Sequence, residues 1–336
     1  MEILSFQETA KIATEADALC KTIEQNYDDL RDGRLKRQGA AEFKVLQKGR
    51  NIVYRVQDNS GWYLKIPCKG KANGIEGEAL GFRKVAEYVA QEPSFRHAKS
   101  IRVSQEPRYI LASAIPGKQL NLKLYRNCLN PFGNETAEIN QYFRDFGGVL
   151  ATLHAARIDP GERKTSLDAV KTFENRLGRV KKPDALSREI ADWFGSFSPP
   201  NEEDAFVHGN CTMRNILVHG GKLSLIDFET CGAGNRYFDL GMLCRDLILC
   251  RSAIAFPKRR AEEALAAFVS GYEKVFGLDR TTLDEHMTLF VASHYLQVHR
   301  IKQIKESISG FPVLKPRLEK MVRNMLSSEK SKVLQM

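Results

Sequence analysis

The stretch FVHGNCTMRNILV, residues 206–218, sets three polar side chains at fixed intervals in an otherwise apolar setting. His208 stands two residues before Asn210 and seven before Asn215, and the apolar run Ile216-Leu217-Val218 follows. An apolar run, a polar loop and a second apolar run predict two short strands around a loop. Downstream, KLSLIDFE (222–229) is strand-like up to Asp227 and Glu229, and RYFDLGML (236–243) carries Asp239. Asp227 falls twelve residues after Asn215, so amides and carboxylates recur at the ends of short apolar segments.

The chain has 336 residues, 43% of them hydrophobic, enough for two lobes with sizeable cores. No apolar run approaches the ~18 residues that a membrane span needs. The opening MEILSFQETAKIATEADALC is acidic and helix-like, unlike a secretory signal. The seven cysteines are scattered without a C-x-x-C pair, which predicts neither a disulfide framework nor a zinc site and fits a reduced, cytoplasmic compartment. The formal net charge of +10 points to an anionic partner. Much of the excess lies after His294, where nine Lys and Arg face three Glu, a pattern that reads as a solvated helical surface or as contact with an anionic membrane face.

Residues 1–32 read as helical, with Ile12, Ala16 and Leu19 on one side, and RDGRLKRQGA (31–40) as a basic connector. FKVLQKG, NIVYRVQD and GWYLKIP, between Phe43 and Pro67, alternate as three strands, with a hairpin turn at Asp58-Asn59-Ser60-Gly61. NGIEGEALGFRKVAEYVAQ (73–91) returns to a helical period through Ile75, Leu80, Val85 and Val89, and SIRVS and RYILASAI read as two more strands. After Pro116-Gly117 the chain is mostly helical, including a segment from Ala261 to Phe276 with Leu265, Phe268, Val269, Tyr272, Val275 and Phe276 on one face. The expected fold class is therefore α+β and bilobal. A helical extension and connector (1–42) precedes a small β-rich lobe with one main helix (43–113) and a larger, mostly helical lobe (114–336).

The loop frame at 206–218, the LSLIDFE segment and Asp239 together resemble the aminoglycoside phosphotransferase/choline kinase-like group, small-molecule relatives of protein kinases. The resemblance covers roughly residues 43–280 and implies a protein-kinase-like fold, ATP and Mg²⁺ as cofactors, and transfer of a phosphoryl group to a hydroxyl. Phosphoryl transfer needs positioning and neutralisation of charge more than covalent chemistry. By resemblance Asp227 is the main metal ligand, Asn215 supplies a second oxygen and Glu229 reaches metal or substrate. His208 and Asp239 take structural roles in the loop. Lys65, in WYLKIP, matches the strand lysine that pairs nucleotide phosphates. A lysine between Leu64 and Ile66 needs a partner because an unpaired buried ammonium is costly, and Glu78 on the next helix matches that partner better than Glu76. LQKGRNIVYRV resembles the phosphate-covering turn, with Gly49, Arg50 and Asn51 as donors. YILASAIPGKQL resembles the hinge, with adenine against backbone near Ser113 and Ile115.

The position of Asn210 is an aspartate in that group, the residue that accepts the acceptor hydroxyl's proton. Asparagine is nearly isosteric and still forms hydrogen bonds, but its amide is no useful base. The expectation is an impaired enzyme, with a nucleotide-binding pseudokinase as the alternative. Basic clusters at Arg34–Arg50, at Arg176–Lys182 and near the C-terminus suit an anionic acceptor, such as a sugar of the lipopolysaccharide core or a lipid-linked sugar, better than a polycation. A cytoplasmic protein, peripheral to the inner face of the membrane, is expected, with no specific nucleic-acid binding. Arg236, Tyr237, His294 and Arg300 are candidate acceptor residues.

Overall fold

The computed structural model describes residues 6–48, 51–57, 61–68, 74–98, 101–129, 135–159, 161–162, 165, 168–199, 205–253, 258–304 and 314–327. The small lobe comprises α1 (Phe6–Gln25), α2 (Tyr27–Arg31), β1 (Arg37–Gln38), β2 (Ala41–Lys48), β3 (Asn51–Gln57), β4 (Trp62–Pro67), α3 (Ile75–Lys84), β5 (Ile101–Gln105) and β6 (Arg108–Ser113). The six strands form one antiparallel sheet in the order β1-β2-β3-β4-β6-β5. It begins at Arg37, inside the segment expected to be a connector, because Arg37 and Gln38 fold back onto Glu42 and Ala41.

Alternation along β6 shows how the sheet is covered on both faces. Tyr109 and Leu111 join Tyr54, Trp62 and Leu64 in a core closed by Ala16, Leu19 and Ile23 of α1 and Leu30 of α2. Ile110 and Ala112 point the other way, into the core shared with α3 and the large lobe. The N-terminal helices therefore roof the sheet, and Tyr54 donates its hydroxyl proton to the Leu30 carbonyl.

The large lobe follows with β7 (Lys118–Gln119), α4 (Leu120–Leu129), α5 (Thr136–His154), α6 (Ala169–Gly178), α7 (Ala185–Ser196), β8 (Ala205–Val207), β9 (Ile216–His219), β10 (Lys222–Leu225), β11 (Gly232–Gly234), α8 (Arg236–Ala253), α9 (Lys258–Glu273), α10 (Arg280–Ile304) and α11 (Leu314–Leu326). Two small sheets, β10-β9-β7 and β11-β8, hold the loops between β8 and β11 against the helices. Gly147 of α5 and Gly271 of α9 let these helices touch backbone to backbone, since a Cβ at Gly271 would lie 2.0 Å from the Arg144 carbonyl oxygen. Helix α9 ends at Glu273, so Val275, expected on its core face, is 53% exposed. Among the described residues no helix is long and apolar enough to cross a membrane.

Candidate active site

Lys65 sits on β4 with only 13% of its side chain exposed, and three carboxylates surround its ammonium. Nζ lies 2.9 Å from Glu78 Oε2, 2.8 Å from Asp227 Oδ1 and 3.4 Å from Glu229 Oε2. Glu78 reaches it from the first turn of α3, where an acidic side chain also suits the helix dipole. Burial weighs against the Lys65 ammonium, but Glu78, Asp227 and Glu229 outweigh it and hold its pKa above the ordinary lysine value. Burial raises the Glu78 carboxyl although Lys65 pulls it down. For Asp227, burial is overcome by Lys65, by His208 and by the Asn210 amide, and its pKa is lowered.

Asp227 is the one non-glycine residue with positive φ among the described residues, at 70°. Such backbone costs on the order of 1–3 kcal/mol and must be held by its surroundings. The Ile226 N–H donates to the Asn215 carbonyl at 3.0 Å, and the Ile226 carbonyl accepts from His208 Nε2 at 3.0 Å. On the other side Phe228 packs on Phe82 and on the His208 ring, with centroids 5.5 and 4.8 Å apart. Its ring also fills the space over Gly81 of α3, where a Cβ would come within 2.2 Å. Gly81→Val is therefore expected to push α3 off Phe228 and pull Glu78 from Lys65, at a cost of about 1–3 kcal/mol. A thermal melt checks this, and an unchanged Tm would contradict the packing.

The loop after β8 is held from α8. Asp239 is fully buried and accepts from the His208 N–H at 2.6 Å and the Gly209 N–H at 2.9 Å. Seven residues on, Asp246 accepts from the Met213 N–H at 3.2 Å, so two carboxylates two turns apart on one helix grip both ends of the loop. Burial keeps the His208 imidazole below its ordinary pKa, and its Nδ1 accepts from the Asn210 N–H at 3.2 Å. Asn210 Nδ2 then donates to Asp227 Oδ2 at 3.2 Å, and Asn215 Nδ2 donates to the Asn210 carbonyl at 2.9 Å. These bonds leave the side-chain oxygens of Asn210 and Asn215 without a donor among the described residues.

The structure thus gathers Lys65, Glu78, Asn210, Asn215, Asp227 and Glu229 into one site, with His208 and Asp239 beneath it. Asn51, read from the sequence as a phosphate donor, instead gives its Nδ2 proton to Glu229 Oε2 at 2.7 Å, because β3 runs beside β4 and brings it over the carboxylate. Gly49 and Arg50 lie outside the described residues. Ser113 and Ile115 lie where the chain leaves β6 for β7. Arg236 and Tyr237 are not in the site. Arg236 donates to the Gly277 carbonyl and lies over Phe276, and buried Tyr237 accepts from the Asp279 N–H. Sequence reasoning missed Asp246, although its seven-residue spacing from Asp239 was a legible signal.

The profile of the phosphotransferase enzyme family matches residues 42–284, well over half of the chain and all of this site. The chain belongs to that family. No curated protein matches it by sequence. Solved structures of several kinases share its fold at low identity. A choline/ethanolamine kinase family protein from Mesorhizobium loti superposes with a TM-score of 0.55 at 15% identity, over 92% of this chain and 98% of that one. The amicoumacin kinase hAmiN, solved with AMP-PNP, Ca²⁺ and Ami, gives 0.55 at 17% identity over 90% and 96%. The choline kinase LicA from Streptococcus pneumoniae gives 0.52 at 13% identity over 91% and 99%. The protein-kinase-like, α+β fold expected from the sequence is the fold found.

Proposed function

We propose that this member of the family is an ATP-dependent phosphotransferase acting on a hydroxyl of a small molecule or glycan, an anionic or lipid-linked sugar such as lipopolysaccharide core, with turnover impaired by Asn210. The observation that carries the reading is Lys65, held by Glu78 and Asp227 at 2.9 and 2.8 Å and joined through Asp227 to Asn210. An ammonium fixed at the mouth of a polar loop is placed to pair with nucleotide phosphates.

The residues present also fit a divalent cation. Three carboxylates, Glu78, Asp227 and Glu229, converge on one ammonium and bring hard oxygen donors together there. Among the described residues no group of three or more His, Cys, Asp and Glu side chains is arranged to hold a metal alone. Mg²⁺ does not require one, since it takes one or two carboxylates, phosphate oxygens and water. Asp227, the free oxygen of Asn215 and Glu229 would hold it. Bound there, the ion would neutralise charge on the transferring phosphoryl group. That amicoumacin kinase was solved with AMP-PNP and Ca²⁺ supports nucleotide and metal here.

Each side chain then has a defined task. Lys65 offers N–H donors to phosphate oxygens, and Glu78 keeps it aimed. Asn210 Oδ1 accepts a hydrogen bond from the acceptor hydroxyl and orients its oxygen, while Nδ2 stays on Asp227. The amide takes no proton, so the hydroxyl proton leaves to solvent and turnover is slow. The Asn210–Asp227 bond also favours a second reading, a nucleotide-binding pseudokinase with a regulatory or scaffolding role, because the amide N–H ties the loop to Asp227 Oδ2, where a base aspartate would repel it. Exposed Arg317 and Lys320 on α11, whose Leu318 and Val322 face the core, support a cytoplasmic protein peripheral to an anionic membrane.

Calorimetric titration with AMP-PNP and Mg²⁺ tests the reading. The wild-type chain is expected to bind, and Lys65→Met to bind roughly 10–100-fold more weakly, the value of one charge-assisted contact. No binding by the wild type would sink both readings.

A further inference from the structure

A second assembly of charge lies where α6 packs on α10. These helices form the walls of a half-open cavity of about 350 Å³, lined in part by Thr172, Asn175, Arg176, Arg179, Gln297 and Arg300. Three guanidinium groups share this space, and no carboxylate lines it. None of the three makes an ion pair among the described residues. Arg176 donates only to neutral partners, the Ser293 carbonyl at 3.3 Å and Ser293 Oγ at 2.8 Å. Arg300 Nε is buried with no hydrogen-bond partner.

The neighbours deepen the imbalance. The adjacent carboxylate, Asp246, is already taken by Arg245 at 2.5 Å. Burial lowers the Arg176 guanidinium's pKa, and Arg245 and Arg300 lower it further. Burial, Arg245 and Arg176 push His294 down to about 4, so it adds no charge at neutral pH. Solvated surface arginines would not leave a donor buried and unmatched. A cluster of like charges around a cavity is satisfied by an anion, and the guanidinium fork matches phosphate oxygens in pairs. The hydroxyl and amide groups of Thr172, Asn175 and Gln297 are suited to sugar hydroxyls, and the volume is at the small end for ligand pockets, enough for one ring.

We propose that the cavity between α6 and α10 binds a phosphorylated sugar by its phosphate group, through Arg176, Arg179 and Arg300. That this sugar is the acceptor of phosphoryl transfer rests on the phosphotransferase reading; the binding does not. The Arg245–Asp246 pair lies between the two places: Asp246 holds the Met213 N–H of the catalytic loop, and Arg245 is near enough to Arg176 to act on its charge.

The test is a calorimetric titration of the full chain with glucose 6-phosphate, glucose and inorganic phosphate, without nucleotide and at constant ionic strength. Glucose 6-phosphate is expected to bind saturably at one site and at least tenfold more tightly than glucose. Tighter binding of inorganic phosphate than of the sugar phosphate would still place an anion there and would overturn the sugar. Arg300→Gln and Arg179→Gln should each weaken glucose 6-phosphate by roughly tenfold, while Lys65→Met leaves it unchanged. Arg179 is exposed, so its variant reports even where Arg300→Gln fails to fold. Equal affinity for glucose and glucose 6-phosphate, or unaltered binding in Arg179→Gln and any folded Arg300→Gln, overturns the proposal. AMP-PNP titration of the same samples reports on the nucleotide site separately, so either assignment can fail alone.

Discussion

Asn210→Asp is expected to raise turnover by ~10²–10⁴-fold, the usual range of a general base. The effect should fall mainly on kcat, because the two side chains have almost the same shape and Lys65, the group placed to meet the nucleotide phosphates, is unaltered. The structure adds a second signature. Asn210 Nδ2 now donates to Asp227 Oδ2 at 3.2 Å. An aspartate would face that carboxylate with like charge and would need a cation or a shared proton between them. Added Mg²⁺ should therefore raise the Tm of Asn210→Asp more than that of the wild-type chain. Initial rates of ATP consumption with anionic core sugars, neutral sugars and aminoglycosides give the kinetic result and the acceptor class together. If both proteins bind AMP-PNP yet neither turns over any acceptor, the pseudokinase reading replaces the enzyme.

Asp239→Asn is expected to lower Tm by on the order of 5–10 °C. The native carboxylate accepts from two buried backbone N–H groups through separate oxygens, at 2.6 and 2.9 Å. An amide keeps one acceptor and turns a donor toward the other N–H, leaving two donors face to face. Buried unsatisfied groups and lost charged hydrogen bonds cost about 1–3 kcal/mol each, and each kcal/mol moves the melting point of a domain of this order of size by roughly 2–4 °C. In the Asn210→Asp background the same change should also lower kcat by releasing the loop. A melt within 1–2 °C of the parent would show that Asp239 is not the anchor of His208 and Gly209.

The parts of this arrangement legible in the sequence share one property: the cause lies within a short span. A lysine between Leu64 and Ile66 had to be inside a sheet and had to be neutralised, and the helix immediately after it offered Glu78 at its N-terminal end. The intervals from His208 to Asp239 carried the loop frame in the same local way. The rest depends on residues distant along the chain. Nothing near Asn51 announces Glu229, which reaches it only because the turn after β10 comes up beneath β3. The left-handed backbone of Asp227 is invisible to composition, since an aspartate there carries no glycine's signature. The sequence offered Arg176 in a basic cluster and Arg300 as a separate acceptor candidate, and only the crossing of α6 and α10 brings them to one cavity. Val275 fails for a related reason: its spacing belongs to a helix that stops two residues earlier.

The helices over the back of the small lobe have a practical meaning for anyone trimming this chain. The family segment begins at residue 42, and a protein cut there would retain every member of the candidate site. It would also lose Ala16, Leu19, Ile23 and Leu30, the cover over Tyr54, Trp62, Leu64 and Leu111. That stripped sheet would offer a broad greasy patch to other copies of itself. The shortest piece that contains the chemistry is therefore smaller than the shortest piece that stays dispersed in water.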